Sequence, residues 1–183
     1  MDPDPIYLDN SATTPLAGEV IAAMEPYFSD EYGNASSLHR FGRRAHAAIE
    51  EARASLAETI GVEPSEIVFT SGATEADNLA IKGLAFAHPE KRHIVTSRIE
   101  HHAVLHACRW LEERGYEVTY LDVDRAGRVE PEAVKEAIRD DTLLVSIMAG
   151  NNEIGTIEPI GEIGEICKER GVPFHTDAVQ AYG

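Results

Sequence analysis

From residue 67 onward, short apolar runs alternate with longer stretches whose apolar residues recur at helical spacing. The runs at 67–70, 93–97, 117–121, 143–148 and 173–177 read as buried strands, and the stretches at 75–87, 102–114, 131–139 and 160–170 read as helices. Gly115 and Gly171 stop two of these helices, and Pro131 stands in the first turn of another. The helix at 75–87 is expected to bury Leu79, Ala80, Gly83, Leu84 and Ala87. Strand–helix alternation of this kind predicts an α/β fold, with a largely parallel sheet and helices on both faces. Before residue 67 the pattern is less regular. A short strand is expected at 6–8, a polar loop at 9–15, a helix at 19–28, irregular chain at 29–40 and a long helix at 45–60 closed by Gly61.

Ligands of such sheets bind beyond the carboxyl ends of the strands, so the residues just past each strand are the candidates for chemistry. After 67–70 come Ser71, Gly72, Ala73 and Thr74, a turn that opens a helix. Unpaired N–H groups and the positive end of the dipole make such a start suitable for a phosphate. The same residues also allow plain capping, with Thr74 as the N-cap and Asp77 as the acid of a capping box. After 93–97 come Glu100, His101 and His102; after 143–148 come Asn151, Asn152 and Glu153; after 173–176 come Asp177 and Gln180. A phosphate cup, an imidazole, amides and a strand-end carboxylate together suit pyridoxal phosphate. The turn at Ala73 and Thr74 would hold the phosphate and His101 would lie on the ring. Asn152 and Gln180 would donate to the phenolate oxygen, and Asp177 would keep the ring nitrogen protonated.

Composition narrows the classes. The 43% of hydrophobic residues is enough for a real core, and no apolar run approaches membrane-spanning length. The first residues have neither a basic region nor an apolar signal core, so a cytoplasmic location is expected. The net charge of −16 argues against a nucleic-acid partner. Cys108 and Cys167 fall on apolar helix faces and read as packing residues rather than nucleophiles. His102 and His106, one helical turn apart, lack an evident third ligand, so no metal site is expected.

Several motifs carry a family resemblance. They are Tyr7-Leu8-Asp9-Asn10-Ser11-Ala12-Thr13-Thr14-Pro15, Gly33-Asn34-Ala35-Ser36-Ser37-Leu38-His39, Phe69-Thr70-Ser71-Gly72-Ala73-Thr74-Glu75, Glu100-His101, Asn151-Asn152-Glu153-Ile154-Gly155 and His175-Thr176-Asp177-Ala178-Val179-Gln180. In this order and spacing they resemble the successive motifs of cysteine desulfurases, in the class V aminotransferase group of fold type I. The resemblance implies the large domain of a pyridoxal-phosphate transferase. It implies phosphate binding by Ala73 and Thr74, stacking by His101, contacts from Asn152 and Gln180 to the ring oxygen, and pairing of Asp177 with the ring nitrogen. The implied reaction takes sulfur from L-cysteine, leaving L-alanine and an enzyme persulfide that feeds iron–sulfur cluster assembly or tRNA thiolation. A homodimer and a scaffold or other sulfur-acceptor protein are the implied partners.

The sequence departs from the family in two ways. Ala35 stands where proline is usual. The family's Schiff-base lysine, sulfur-accepting cysteine and substrate-carboxylate arginine all lie beyond the Asp177 motif and are not among these residues; Lys82, Lys91, Lys135 and Lys168 read as surface lysines. The expectation is therefore the front part of the large domain, incomplete at its carboxyl end. Residues 1–15 would form a segment near the active site or dimer boundary, and 16–183 the cofactor-binding portion. A truncated or split non-catalytic chain, or another class V activity such as selenocysteine lyase, remains the alternative.

Overall fold

The computed structural model describes residues 5–182. It comprises two compact units that meet in sequence between Phe69 and Thr70. Of the segment expected at 1–15, residues 1–4 lie outside the described residues.

The first unit is helical. Helix α1 spans Gly18–Met24, α2 spans Pro26–Ser29, and α3 spans Arg40–Ile60. The single helix expected at 19–28 is divided because Pro26 has no N–H to continue it and instead opens α2. Helix α3 starts five residues earlier than expected, at Arg40, because His39 caps it: the Gly42 N–H donates to His39 Nδ1 over 3.2 Å. Gly61, left-handed at φ 71°, closes it and donates to the Ala57 and Glu58 carbonyls. Gly42 is a close approach: a Cβ there would stand 2.2 Å from the Ser37 carbonyl oxygen and 2.7 Å from that of Asn34.

Two expected strands are absent. Residues 6–8 are exposed, non-repetitive chain. Residues 67–70 come after a 3-10 turn at Pro64–Glu66 and form no ladder with any described strand. A strand exists only through a neighbour that accepts its hydrogen bonds. Here the Ile67 carbonyl accepts from the Arg53 guanidinium, which also lies 4.8 Å over the Phe69 ring.

The second unit carries the sheet. Its elements are α4 (Ala73–Ala87), β1 (His93–Ser97), α5 (His102–Glu112), β2 (Glu117–Leu121), α6 (Pro131–Ala137), β3 (Thr142–Ser146), α7 (Ile160–Arg170) and β4 (Phe174–His175). The strands are all parallel, in the order β2-β1-β3-β4. Alternation along the strands divides the core in two. Ile94 and Leu144 join Ile81 of α4 and Val104 and Leu111 of α5. Val95 and Val145 join Val134 of α6 and Ile163 of α7. Helices thus cover both faces, as expected, and β1 and β3 are buried throughout. At the amino end of the sheet the buried His93 ring ties three strands together, bonding Thr142 Oγ1 at 2.8 Å and Thr119 Oγ1 at 2.9 Å. No helix among the described residues is long and apolar enough to cross a membrane.

Candidate active site at the carboxyl edge of the sheet

Because the strands are parallel, their carboxyl ends share one edge, and the chain leaving β1, β3 and β4 gathers there. Helix α4 begins near this edge. Its first residue is Ala73, its N-cap is Gly72, and no side chain caps it. The capping reading of Thr74 and Asp77 is therefore corrected. Thr74 is the second helical residue, and the acid that reaches back is Glu75, which accepts from Ser71 N at 2.7 Å and Ser71 Oγ at 2.6 Å. The Ser71 hydroxyl, then its amide, hold the Glu75 carboxyl below its ordinary range. The first turn of α4 keeps N–H groups that the helix cannot pair. A Cβ on Gly72 would meet nothing within 4 Å, so a ligand can reach the backbone at this point.

Asp77 is buried. So are Ile81 and Ala85, and this stripe replaces the expected one; Leu79 is 53% exposed. Asp77 Oδ1 lies 3.5 Å from His175 Nε2, and His175 Nδ1 lies 2.8 Å from Ser146 Oγ. Asp77 Oδ2 has no hydrogen-bond partner among the described residues.

His101 precedes α5 and caps it, its Nδ1 accepting the Ala103 N–H at 3.2 Å while the residue stays exposed. His101 and Asn152 line one cavity of about 360 Å³, together with Glu100, Asn151 and Ile154. Asn151 fastens the two loops that form it. Its Nδ2 donates to the Ile99 carbonyl at 2.9 Å, and its Oδ1 accepts the N–H groups of Glu153 and Ile154. Glu100 does the same below: Oε1 accepts from Ser97 Oγ at 2.6 Å and from Met148 N at 3.1 Å. Burial pushes the Glu100 carboxyl up to about 7, with the charges of Asp177 and Glu158 adding to the effect and the two hydrogen bonds opposing it.

Asp177 continues the line of β4. The Ile147 N–H donates to the His175 carbonyl and the Ala149 N–H to that of Asp177, so the parallel ladder runs on past the strand. The Asp177 carboxylate is buried and accepts the Val179 N–H at 3.0 Å. Gln180 sits against the turn after β3, its Cβ 3.7 Å from where a Cβ on Gly150 would stand. The structure thus brings His101 and Asn152 into one cavity and sets Asp177 and Gln180 against the chain that leads to Asn152. Ala73 and Thr74 do not line that cavity; the described link from their helix to β4 is Asp77–His175.

Sequence reasoning missed the Asp77–His175–Ser146 chain and the loop fastening by Asn151 and Glu100. An acid four residues before Ile81 and eight before Ala85, on the stripe that turns inward, was the signal for Asp77.

The cysteines are buried as expected. Burial pushes the Cys108 thiol up to about 12 and the Cys167 thiol up to about 11, which keeps both protonated and unreactive. The lysines are remote from the carboxyl edge. Lys91 lies at the amino end of β1, donating to the Thr142 carbonyl; Lys82 packs on Trp110; Lys135 pairs with Glu132; Lys168 is in the last turn of α7.

The model of the aminotransferase class-V family matches residues 6–183. The cysteine desulfurase IscS of Methanosarcina thermophila is 59% identical over 97% of this chain and 44% of its own length. That of Dictyoglomus turgidum is 57% identical over 97% of this chain and 45% of its own. Among solved structures, SspA in complex with cysteine aligns with a TM-score of 0.93 at 48% identity, over 96% of this chain and 51% of that one. A NifS-like protein aligns with a TM-score of 0.93 at 42% identity, over 96% of this chain and 49% of that one. The chain spans about half the length of the relatives it matches. By the match along nearly its whole length, this chain belongs to the class V aminotransferase family.

Proposed function

We propose that the intact protein is a pyridoxal-phosphate-dependent cysteine desulfurase, which moves sulfur from L-cysteine to a cysteine of its own and releases L-alanine. The observation that carries this reading is the gathering of His101, Asn152, Asp177 and Gln180 at one sheet edge, beside a helix start that no side chain caps. The names of the relatives support it, as does the cysteine bound in the structural neighbour.

The residues fit the cofactor. Uncapped N–H groups at Ala73 and Thr74, with open space over Gly72, suit a phosphate. The buried Asp177 carboxylate suits a protonated ring nitrogen. Bound there, the cofactor supplies an electron sink for bond breaking beside the amino group. Asp177 would hold the proton on the ring nitrogen, Asn152 and Gln180 would hold the ring through its phenolic oxygen, and His101 would stack on the ring. The tethering lysine and the acceptor thiol come from outside these 183 residues, since the described lysines are remote from the edge and both cysteines are buried.

In this reading residues 16–183 form the front of the cofactor-binding domain. The intact protein is a cytoplasmic homodimer with segments 9–15 and 33–39 near the subunit boundary, and it passes sulfur to an iron–sulfur scaffold or another acceptor. The test is to incubate the intact protein with pyridoxal phosphate and L-cysteine and to measure alanine and transferable sulfur, with sedimentation alongside. A protein that forms no alanine, or sediments as a monomer at micromolar concentration, is not the enzyme described.

Gly72→Ala gives a finer check. Its Cβ clashes with nothing in the protein, so stability should hold within about 1 kcal/mol. It would intrude where the phosphate approaches, so cofactor affinity should fall about tenfold, or about 1.4 kcal/mol. Unchanged affinity, read by absorbance titration, would remove the phosphate from this turn.

A further inference from the structure

We propose that Asp77 is a positioning residue which, through His175, sets the spacing between the turn at Ala73 and Thr74 and the Asp177 carboxylate. The proposal rests on the cofactor assignment above, in which these are the two poles that grip the phosphate and the ring nitrogen.

Asp77 is 4% exposed, and a buried carboxylate is costly unless it is fully bonded. Here one oxygen faces the His175 ring at 3.5 Å and the other has no hydrogen-bond partner among the described residues. An apolar residue would pack at this place without that cost, so packing alone does not explain an acid. What the acid does is reach the ring that bridges α4 to the sheet. His175 Nδ1 is fixed at 2.8 Å from Ser146 Oγ, and the Ser146 carbonyl accepts from Thr96 Oγ1 at 2.9 Å. The polar chain therefore runs from α4 through β4 and β3 to β1.

Its two ends matter for the site. Asp77 lies one helical turn beyond Ala73, on a helix stiff enough to carry a displacement from one residue to the other. His175 and Asp177 are two residues apart on extended chain, so their side chains share a face. The ladder bonds from Ile147 and Ala149 fix Asp177 to β3, but they leave the distance from β4 to the start of α4 free. Apolar packing of Ile81 and Ala85 holds the middle of α4 on the sheet, and Asp77–His175, at 3.5 Å, is the polar contact described between the first turns of α4 and β4.

The test titrates pyridoxal phosphate into the apo form of the intact protein and reads binding by absorbance, with turnover kept out of the measurement. Asp77→Leu, which fills the site without an acceptor, should weaken binding about tenfold. Asp77→Asn keeps the Oδ1 acceptor and should stay within about threefold of wild type. In an Asp177→Ala background there is no pole left to place, so Asp77→Leu should change affinity by less than about twofold. An equal loss in both backgrounds, an Asn variant as poor as Leu, or a Leu variant with wild-type affinity would each overturn the proposal. Should Asp77→Leu not fold, Ser146→Ala cuts the same chain without burying a charge. It should weaken binding about threefold, only where Asp177 is present, and any other pattern overturns the proposal. A wild-type protein that binds no cofactor would overturn the cofactor assignment and this proposal with it. A binding wild type with additive variants would overturn this proposal alone.

Discussion

Asp177→Ala in the intact protein is expected to lower alanine formation from L-cysteine by about a hundredfold or more, while the cofactor stays bound. The reasoning begins with the backbone. The Ala149 N–H holds the Asp177 carbonyl at 2.8 Å, and the Val179 N–H holds its Oδ1 at 3.0 Å. The carboxylate is thus aimed before any ligand arrives, in a buried setting where its field is weakly screened. In the proposed role it opposes a ring nitrogen whose positive charge matters most when electrons flow into the ring. The interaction is therefore stronger in the transition state than in the ground state, and its loss appears in kcat more than in binding. The phosphate contacts at Ala73 and Thr74 are untouched, so the cofactor should stay bound at saturating concentration, its affinity lowered about tenfold by the lost ring-nitrogen contact against about a hundredfold loss in turnover. Single-turnover alanine formation and cofactor absorbance, measured on the same sample, check both halves. Near-normal turnover in the variant would remove Asp177 from the ring nitrogen.

The elements that sequence reading placed well are those with a clear apolar pattern bounded by turn residues. The runs at 93–97 and 117–121 coincide with β1, buried throughout, and with β2, a partly exposed edge strand, because both are short β-prone runs bounded by turns. The same reasoning failed at 67–70. Its apolar residues are right for a strand, but strand formation depends on a neighbour, and no described strand pairs with it. At 19–28 helical spacing outweighed Pro26, whose missing N–H divides the segment into α1 and α2.

In the candidate site, the placement of His101, Asn152, Asp177 and Gln180 at the carboxyl edge was legible because each stands just past a strand, and parallel topology brings strand ends to one edge. Roles that depend on a pair remote in sequence were not legible. Asp77 looked like a capping acid because its partner His175 belongs to the last strand described. The inward stripe of α4 was misread for the same reason, since Asp77 at its head made Asp77, Ile81 and Ala85 look less apolar than the face with Leu79. Asn151 stood among the residues just past the strand at 143–148 with no role of its own, and only the fold reveals its bond to the Ile99 carbonyl.

Glu100→Gln is expected to stabilise the protein at pH 8 by about 3 kcal/mol and to leave it nearly unchanged at about pH 4. Glu100 is 5% exposed, with its Oε2 unpartnered, and its folded carboxyl is pushed up to about 7 from an ordinary value of 4.5. Burial is the main cause. The Ser97 hydroxyl and the Met148 N–H pull the other way, and the Asp177 and Glu158 charges add to the rise. Between these two values the folded state holds a proton that the unfolded state has lost, so stability falls as pH rises through this window. Below the window both states are protonated and Glu100 costs nothing; above it the ionised carboxylate carries its full desolvation. A shift of this size corresponds to about 3 kcal/mol, an upper value because the interior relaxes around the charge.

Glutamine reproduces the protonated acid in shape, and its carbonyl can still accept from Ser97 and Met148, so the loops before His101 and Asn152 should keep their positions. Urea denaturation of both proteins at about pH 4 and about pH 8 measures the difference. Wild type should lose stability relative to the variant as the pH rises, and equal stability at both pH values would show that Glu100 ionises in the folded protein as it does in water.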